Sequence, residues 1–131
     1  MRRFLLDTCV LIWILKDDKR IKGLKEDIEF FQGDFAISVE SLKEYLYLVH
    51  SGKLKTDIAF DDLLRGLKGQ QISVLSYERE TLDELSRLPF IKTHPDPSDR
   101  AIIAQAISDN RTLITGDRKF VNYPKLKLLQ V

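Results

Sequence analysis

His94-Pro95-Asp96-Pro97-Ser98-Asp99-Arg100, then Ala101-Ile102-Ile103-Ala104-Gln105-Ala106-Ile107, and after a short break Leu113-Ile114-Thr115-Gly116-Asp117-Arg118-Lys119-Phe120, is the stretch on which the fold turns. Asp96 stands where a helix N-cap belongs, Pro97 takes the first helical position, and Asp99 falls at the third, where a carboxylate favours the positive end of the helix. Ile102, Ile103, Ala106 and Ile107 recur at helical spacing and give this helix a buried face. Asp109-Asn110 ends it, and Thr112 to Thr115 reads as a short buried strand with Asp117 just beyond. A helix start and a strand end at one rim of a parallel sheet bring Asp99 and Asp117 within reach of each other, in the crevice where open α/β sheets bind ligands.

Outward from this stretch the same alternation continues. Arg3 to Leu6 is a short apolar strand followed by Asp7-Thr8 as a helix cap, after which Val10, Leu11, Ile14 and Leu15 recur at helical spacing. Lys16 to Arg20 reads as a solvated charged turn before an amphipathic helix from Lys22 to Phe31. Phe35 to Ser38 is a second strand, running into a helix from Val39 to Ser51 that closes at Gly52 and carries Glu40 and Glu44. A short helix from Phe60 to Lys68 and a strand from Gln71 to Leu75 come next. A helix from Glu78 to Leu88 then turns Leu82, Leu85 and Leu88 inward and ends at Pro89, and a last strand runs from Leu126 to Leu129. Strands alternating with helices imply right-handed crossovers and a parallel sheet covered on both faces, a three-layer α/β domain spanning residues 1–131.

Composition removes several classes of function. No apolar run approaches the roughly 20 residues that span a bilayer, and Asp7 interrupts the apolar run after Arg2-Arg3, so the N-terminus does not read as a signal peptide. A cytoplasmic protein is expected. One cysteine excludes an internal disulfide, and Cys9 with only two histidines cannot build a thiolate zinc site; it reads as a small buried apolar residue. Lysine and arginine number 21 against 20 acids, so any contact with nucleic acid must be local rather than a matter of global charge.

The acids carry the chemistry. Asp7 follows the first strand, Glu44 lies on the helix after the second, Asp99 starts a late helix and Asp117 follows the strand after it. A parallel sheet puts these strand ends on one rim, where ionised carboxylates repel unless a cation or shared protons offset the charge. Oxygen-only ligands select a hard ion, Mg²⁺ or Mn²⁺, which activates water and neutralises phosphoryl oxygens, the task of metal-dependent nucleases. Glu40, one turn before Glu44, is expected to face water, because like charges at this spacing cost only a few tenths of a kcal/mol on a solvated face. Asp96 is read as the helix cap rather than a metal ligand, and His94 as an incidental loop residue outside the catalytic set. Arg100, Arg118 and Lys119 flank the acids; phosphate contact and plain solvation suit them equally.

Leu5-Leu6-Asp7-Thr8, Ile37-Ser38 with Ser41-Leu42-Lys43-Glu44, Gly52-Lys53-Leu54, His94 to Arg100 with Ile103 to Ala106, and Leu113 to Phe120 together resemble the PIN-domain ribonucleases of the VapC toxin type. The resemblance covers nearly the whole chain in the family's order. It implies that Asp7, Glu44, Asp99 and Asp117 hold Mg²⁺ or Mn²⁺ for RNA hydrolysis, with Thr115 as a polar neighbour of the metal's water. It further implies a homodimeric toxin inhibited by a small antitoxin that covers the acidic pocket and inserts a basic side chain. Ser98 departs from the pattern, since that position is often aromatic in the family, and a looser helix start is the expected consequence. Two other readings compete. A PIN-like module that binds RNA or protein without catalysis would tolerate altered acids, which are intact here. A signalling receiver domain wants paired acids after its first strand and an acid after a middle one, whereas Asp7 stands alone and nothing acidic directly follows Leu75.

Overall fold

The structure is a computed structural model describing residues 2–131, with side chains for all of these except 27–31. Met1, part of the N-terminal reading above, lies outside the described residues. Five parallel strands form one sheet: β1 (Arg3–Leu6), β2 (Asp34–Ser38), β3 (Ile72–Leu75), β4 (Thr112–Thr115) and β5 (Leu128–Gln130), in the order β3-β2-β1-β4-β5. The helices are α1 (Thr8–Leu15), α2 (Lys19–Phe31), α3 (Val39–His50), α4 (Phe60–Gly69), α5 (Arg79–Arg87) and α6 (Pro97–Ser108), with a 3-10 turn at Arg118–Asn122.

The period of two along each strand decides the layers. Leu5, Ala36 and Leu113 point to one face of the sheet and pack on Ile102, Ile103 and Ala106 of α6 with Phe120 and Tyr123. Phe4, Leu6 and Ile114 point to the other, against Val10 and Trp13 of α1 and Ile21 and Leu24 of α2. Ile37 joins that second face with Leu42 and Tyr45 of α3 and Leu63 and Leu67 of α4. Both sheet faces are therefore covered, the three-layer α/β arrangement expected of the pattern.

The elements begin and end close to where their residues dictate, and the differences have local causes. α2 starts within the stretch read as a solvated turn, because Asp18 accepts the backbone N–H of Arg20 at 3.0 Å and so caps the helix. Its amphipathic character is borne by Ile21 and Leu24; the side chains from Asp27 to Phe31 lie outside the described set. β5 starts two residues late, since the Leu126 N–H is spent on a turn bond to the Tyr123 carbonyl at 3.1 Å. On α5, Leu82 is 58% exposed rather than inward: the helix is set by its capping box, Glu78 with Thr81, which buries Thr81 and rotates Leu82 to the outside while Leu88 still packs on the α6 side. Tyr47 of α3 is likewise exposed. None of the helices among the described residues is long and apolar enough to cross a membrane.

Candidate metal centre

The strand order reverses at β1, so the carboxyl ends of β1 and β4 form the switch point where a crevice opens. A cavity of about 490 Å³ lies there, lined by Asp7, Thr8, Glu44, Asp96, Asp99 and Asp117 together with Cys9, Trp13, Arg20 and Gly116. The four acids singled out in the sequence thus share one cavity, although they come from positions up to 110 residues apart in a chain of 131.

Each acid is held by its own element. Asp7 caps α1, its Oδ1 accepting the Thr8 N–H at 2.8 Å while its Oδ2 accepts the Thr115 hydroxyl at 2.6 Å. Thr115 in turn accepts the Asp117 N–H at 3.0 Å, and Asp117 caps the 3-10 turn by accepting the Lys119 N–H at 2.9 Å. The Thr115 hydroxyl, expected beside a metal's water, therefore spends its proton on Asp7 and orients two of the acids. Asp99 sits in the first turn of α6, where Asp96 caps the helix by accepting the Asp99 N–H at 3.0 Å, as the Asp-Pro-Ser-Asp spacing requires. Glu44 lies one and a half turns into α3 and reaches the cavity half-buried.

Among the described residues, two tight oxygen-rich groups appear. Ligand atoms of Glu44, Asp96 and Asp99 lie within 4.8 Å of one another, and so do those of His94, Asp99 and Asp117. Asp99 belongs to both. Asp7 joins neither, its oxygens being engaged by Thr8 and Thr115; it acts on the others by its charge across the cavity.

The electrostatics match this crowding. Burial, opposed by the approach of Thr8 and reinforced by the charges of Asp99, Asp7 and Asp96, pushes the Glu44 carboxyl up to about 7. Burial also raises Asp99, to about 6, with the charges of Asp7 and Asp96 adding to the rise and the His94 bond opposing it. Asp7, 5% exposed, is raised for the same first reason, against the hydrogen bonds from Thr115 and Thr8. Among the described residues, the one basic residue on the cavity wall, Arg20, is bound by both oxygens of Asp18 at 2.9 Å and does not neutralise the cluster.

Three residues differ from their sequence readings. His94 is not incidental: it is 2% exposed, with Nε2 2.8 Å from Asp99 Oδ2 and Nδ1 3.1 Å from the Tyr123 hydroxyl, so it buttresses Asp99 from behind. Glu40 does not face water: it is 4% exposed and accepts the hydroxyls of Tyr77 and Ser98, the latter at 2.8 Å. A buried carboxylate persists because these donors and Lys43, at 3.2 Å, replace its hydration. Cys9 is half-buried on the cavity wall, its sulfur accepting the Gly116 N–H at 3.5 Å, with its thiol pushed up to about 11 chiefly by burial and then by Asp7. Neither His94 nor Glu40 had a signal in spacing alone, since both partnerships cross between elements. Arg100 is tied to the Pro89 carbonyl at 2.8 Å and packs over Phe90, whereas Arg118 and Lys119, which follow Asp117 in the chain, are exposed.

Gly116 makes the wall possible. A Cβ there would lie 2.5 Å from Trp13 Cη2 and 2.9 Å from Cζ2, and the ring has the Arg20 guanidinium 4.2 Å from its centroid. Gly116→Ala is therefore expected to destabilise the fold by roughly 1–3 kcal/mol, the usual cost of overpacking, read as a lower denaturation midpoint.

The donor set, carboxylate oxygens grouped within 4.8 Å of one another in one cavity, fits a hard divalent ion. Comparison with solved structures gives the same fold over nearly the whole chain. VapBC2 from Rickettsia felis, crystallised with a fragment of promoter DNA, matches at TM-score 0.72 and 20% identity, covering 98% of each chain. DNA-bound VapBC from Salmonella typhimurium matches at TM-score 0.70 and 22% identity, over 99% of this chain and 98% of that one. A toxin–antitoxin complex from Klebsiella pneumoniae matches at 0.62 and 19%, over 96% and 95%. No protein with a curated description matches the sequence significantly. The PIN-domain family model matches residues 4–126, a span that includes Asp7, Glu44, Asp99 and Asp117, and the chain belongs to the PIN-domain family.

Proposed function

We propose that this protein is a ribonuclease that hydrolyses RNA phosphodiester bonds with Mg²⁺ or Mn²⁺, and that it is the toxin of a toxin–antitoxin pair. The observation that carries the reading is the convergence of Asp7, Glu44, Asp99 and Asp117 on one cavity with Glu44 and Asp99 held far above ordinary carboxylates. Crowding of this kind is costly, and a bound divalent ion removes the cost. Glu44, Asp99 and Asp117 would hold the ion, with Asp7 doing so directly or through water. Such an ion supplies Lewis acidity and neutralises charge that develops on the phosphoryl group.

The rest falls to the chain's own groups. Thr115 holds the Asp7 carboxylate at a fixed angle, His94 does the same for Asp99, and Asp96 sets the first turn of α6. Glu44, whose carboxyl burial pushes up to about 7, would serve as a ligand in its deprotonated form. Arg118 and Lys119, exposed and next in the chain to Asp117, suit flanking phosphates of the substrate.

For the antitoxin, support comes from shape and charge together. A second cleft, of about 560 Å³, runs between α1, α2 and α4 and is walled by Val10, Leu11, Ile14, Leu24, Leu63 and Leu67. It suits the apolar face of an amphipathic helix, and the acidic cavity suits a basic side chain from the same partner. A homodimer is part of the same proposal.

The test is cleavage of RNA by purified protein with Mn²⁺ or Mg²⁺, with EDTA, and by an Asp7→Asn variant. Cleavage that needs the ion and is lost in the variant is expected; equal cleavage by both proteins would place the activity in a contaminant. RNA binding without cleavage under any metal would favour a silent binding module instead.

A further inference from the structure

The Glu40 carboxylate is a buried charge outside the acidic cavity. It lies in the first turn of α3, four residues before Glu44, does not line the cavity, and is nonetheless almost fully enclosed. Burying a charge costs several kcal/mol unless its partners replace water fully, and a like charge one turn away adds to the cost. Its partners come from two other elements. Oε1 accepts the Ser98 hydroxyl at 2.8 Å and the Lys43 ammonium at 3.2 Å, and Oε2 accepts the Tyr77 hydroxyl. Burial opposes its charge, but these three donors outweigh burial and hold the carboxyl below the usual range.

Ser98 is the residue before Asp99, in the first turn of α6. The bond therefore joins the start of α3, which carries Glu44, to the start of α6, which carries Asp99, and Tyr77 ties in the segment leading from β3 to α5. The charge of Asp99 helps to raise the Glu44 carboxyl, and the ligand atoms of the two are nevertheless grouped within 4.8 Å together with Asp96. A strap between the two helix starts resists that repulsion before any ion arrives.

We propose that Glu40, Ser98 and Tyr77 form a clamp that sets the spacing of Glu44 and Asp99, which makes Glu40 and Ser98 positioning residues of the metal centre. This rests on the divalent-metal reading above. It also explains Ser98: a hydroxyl there is a working donor to Glu40 rather than a loosened helix start.

The experiment titrates the full-length protein with Mn²⁺ alone by calorimetry, alongside thermal unfolding in EDTA, for wild type, Glu40→Ala, Glu40→Gln, Ser98→Ala and the double alanine variant. Removing partners that orient ligands weakens metal binding by roughly 10–100-fold in general, and about 10-fold is expected for Glu40→Ala and for Ser98→Ala. The double variant should be no weaker than either single, because both remove one strap. Glu40→Gln keeps an oxygen for Ser98 and should recover most of the affinity. Ser98→Ala is a small change in a helical first turn and stays folded even if Glu40→Ala does not. Wild-type affinity in Ser98→Ala, or losses that multiply in the double variant, would overturn the clamp while leaving the metal site standing. A wild type that takes up no Mn²⁺ would overturn both.

Discussion

Asp99→Asn is expected to abolish ion-dependent RNA cleavage while making the metal-free protein more stable. Asp99 is the one acid shared by both tight groups of ligand atoms, so its loss leaves neither intact. Losing one strongly engaged electrostatic group in an enzyme site costs about 10²–10³ in rate, and a residue common to both groups should reach the upper end. The stability change runs the other way. Burial and the charges of Asp7 and Asp96 push Asp99 up to about 6, so near neutral pH its charge works against the folded state. A neutral amide of the same shape removes that opposition, and a gain of roughly 1–2 kcal/mol follows after allowing for the partly exposed side chain and the altered His94 bond. Cleavage assays with Mn²⁺ and thermal unfolding in EDTA on the same preparation check both halves. A variant that is inactive and also less stable would mean that Asp99 serves the fold rather than the ion.

Metal-free protein should lose stability as pH rises through the neutral range, and a divalent ion should restore it. Glu44, Asp99 and Asp7 all have carboxyls raised in the folded state, Glu44 to about 7 and Asp99 to about 6. The folded protein therefore holds protons that the unfolded chain has already released, and stability is fullest below about pH 4 as far as these groups are concerned. It declines as pH climbs from about 4 to 7, while ordinary acid denaturation sets the limit at the low end. The ion binds the deprotonated cluster, so its affinity rises through the same window and protons are released on binding. At about 100 times its dissociation constant it adds about 2.7 kcal/mol near pH 7–8, and most of this is lost near pH 5. Unfolding followed with Mn²⁺ and with EDTA at several pH values measures it. An ion effect that does not change with pH would show that these carboxyls are not its ligands.

Much of the site was legible because its signals are local. Asp96-Pro97 with Asp99 at the third position is a capping pattern that four residues settle, and α6 begins where it should. Asp7 and Asp117 follow strands whose apolar runs end abruptly, and both cap what comes after. Glu40 and His94 were misread for the opposite reason. Each depends on a hydroxyl or ring contributed by another element, Tyr77 and Ser98 in one case and Tyr123 in the other, and no periodicity records such partners. Leu82 was misplaced because a 3.6-residue stripe fixes which residues share a face but not how the helix is rotated on its neighbour.

By itself the sequence determined the order of strands and helices, the parallel sheet, and the set of acids that a common rim must gather, since side-chain period and capping are short-range matters. Only the tertiary structure decided which oxygens stand close enough to share an ion, which carboxylates are lifted by burial, and which buried charge straps α3 to α6. Those outcomes are set by desolvation and Coulomb terms that depend on distances of a few ångströms between segments far apart in the chain.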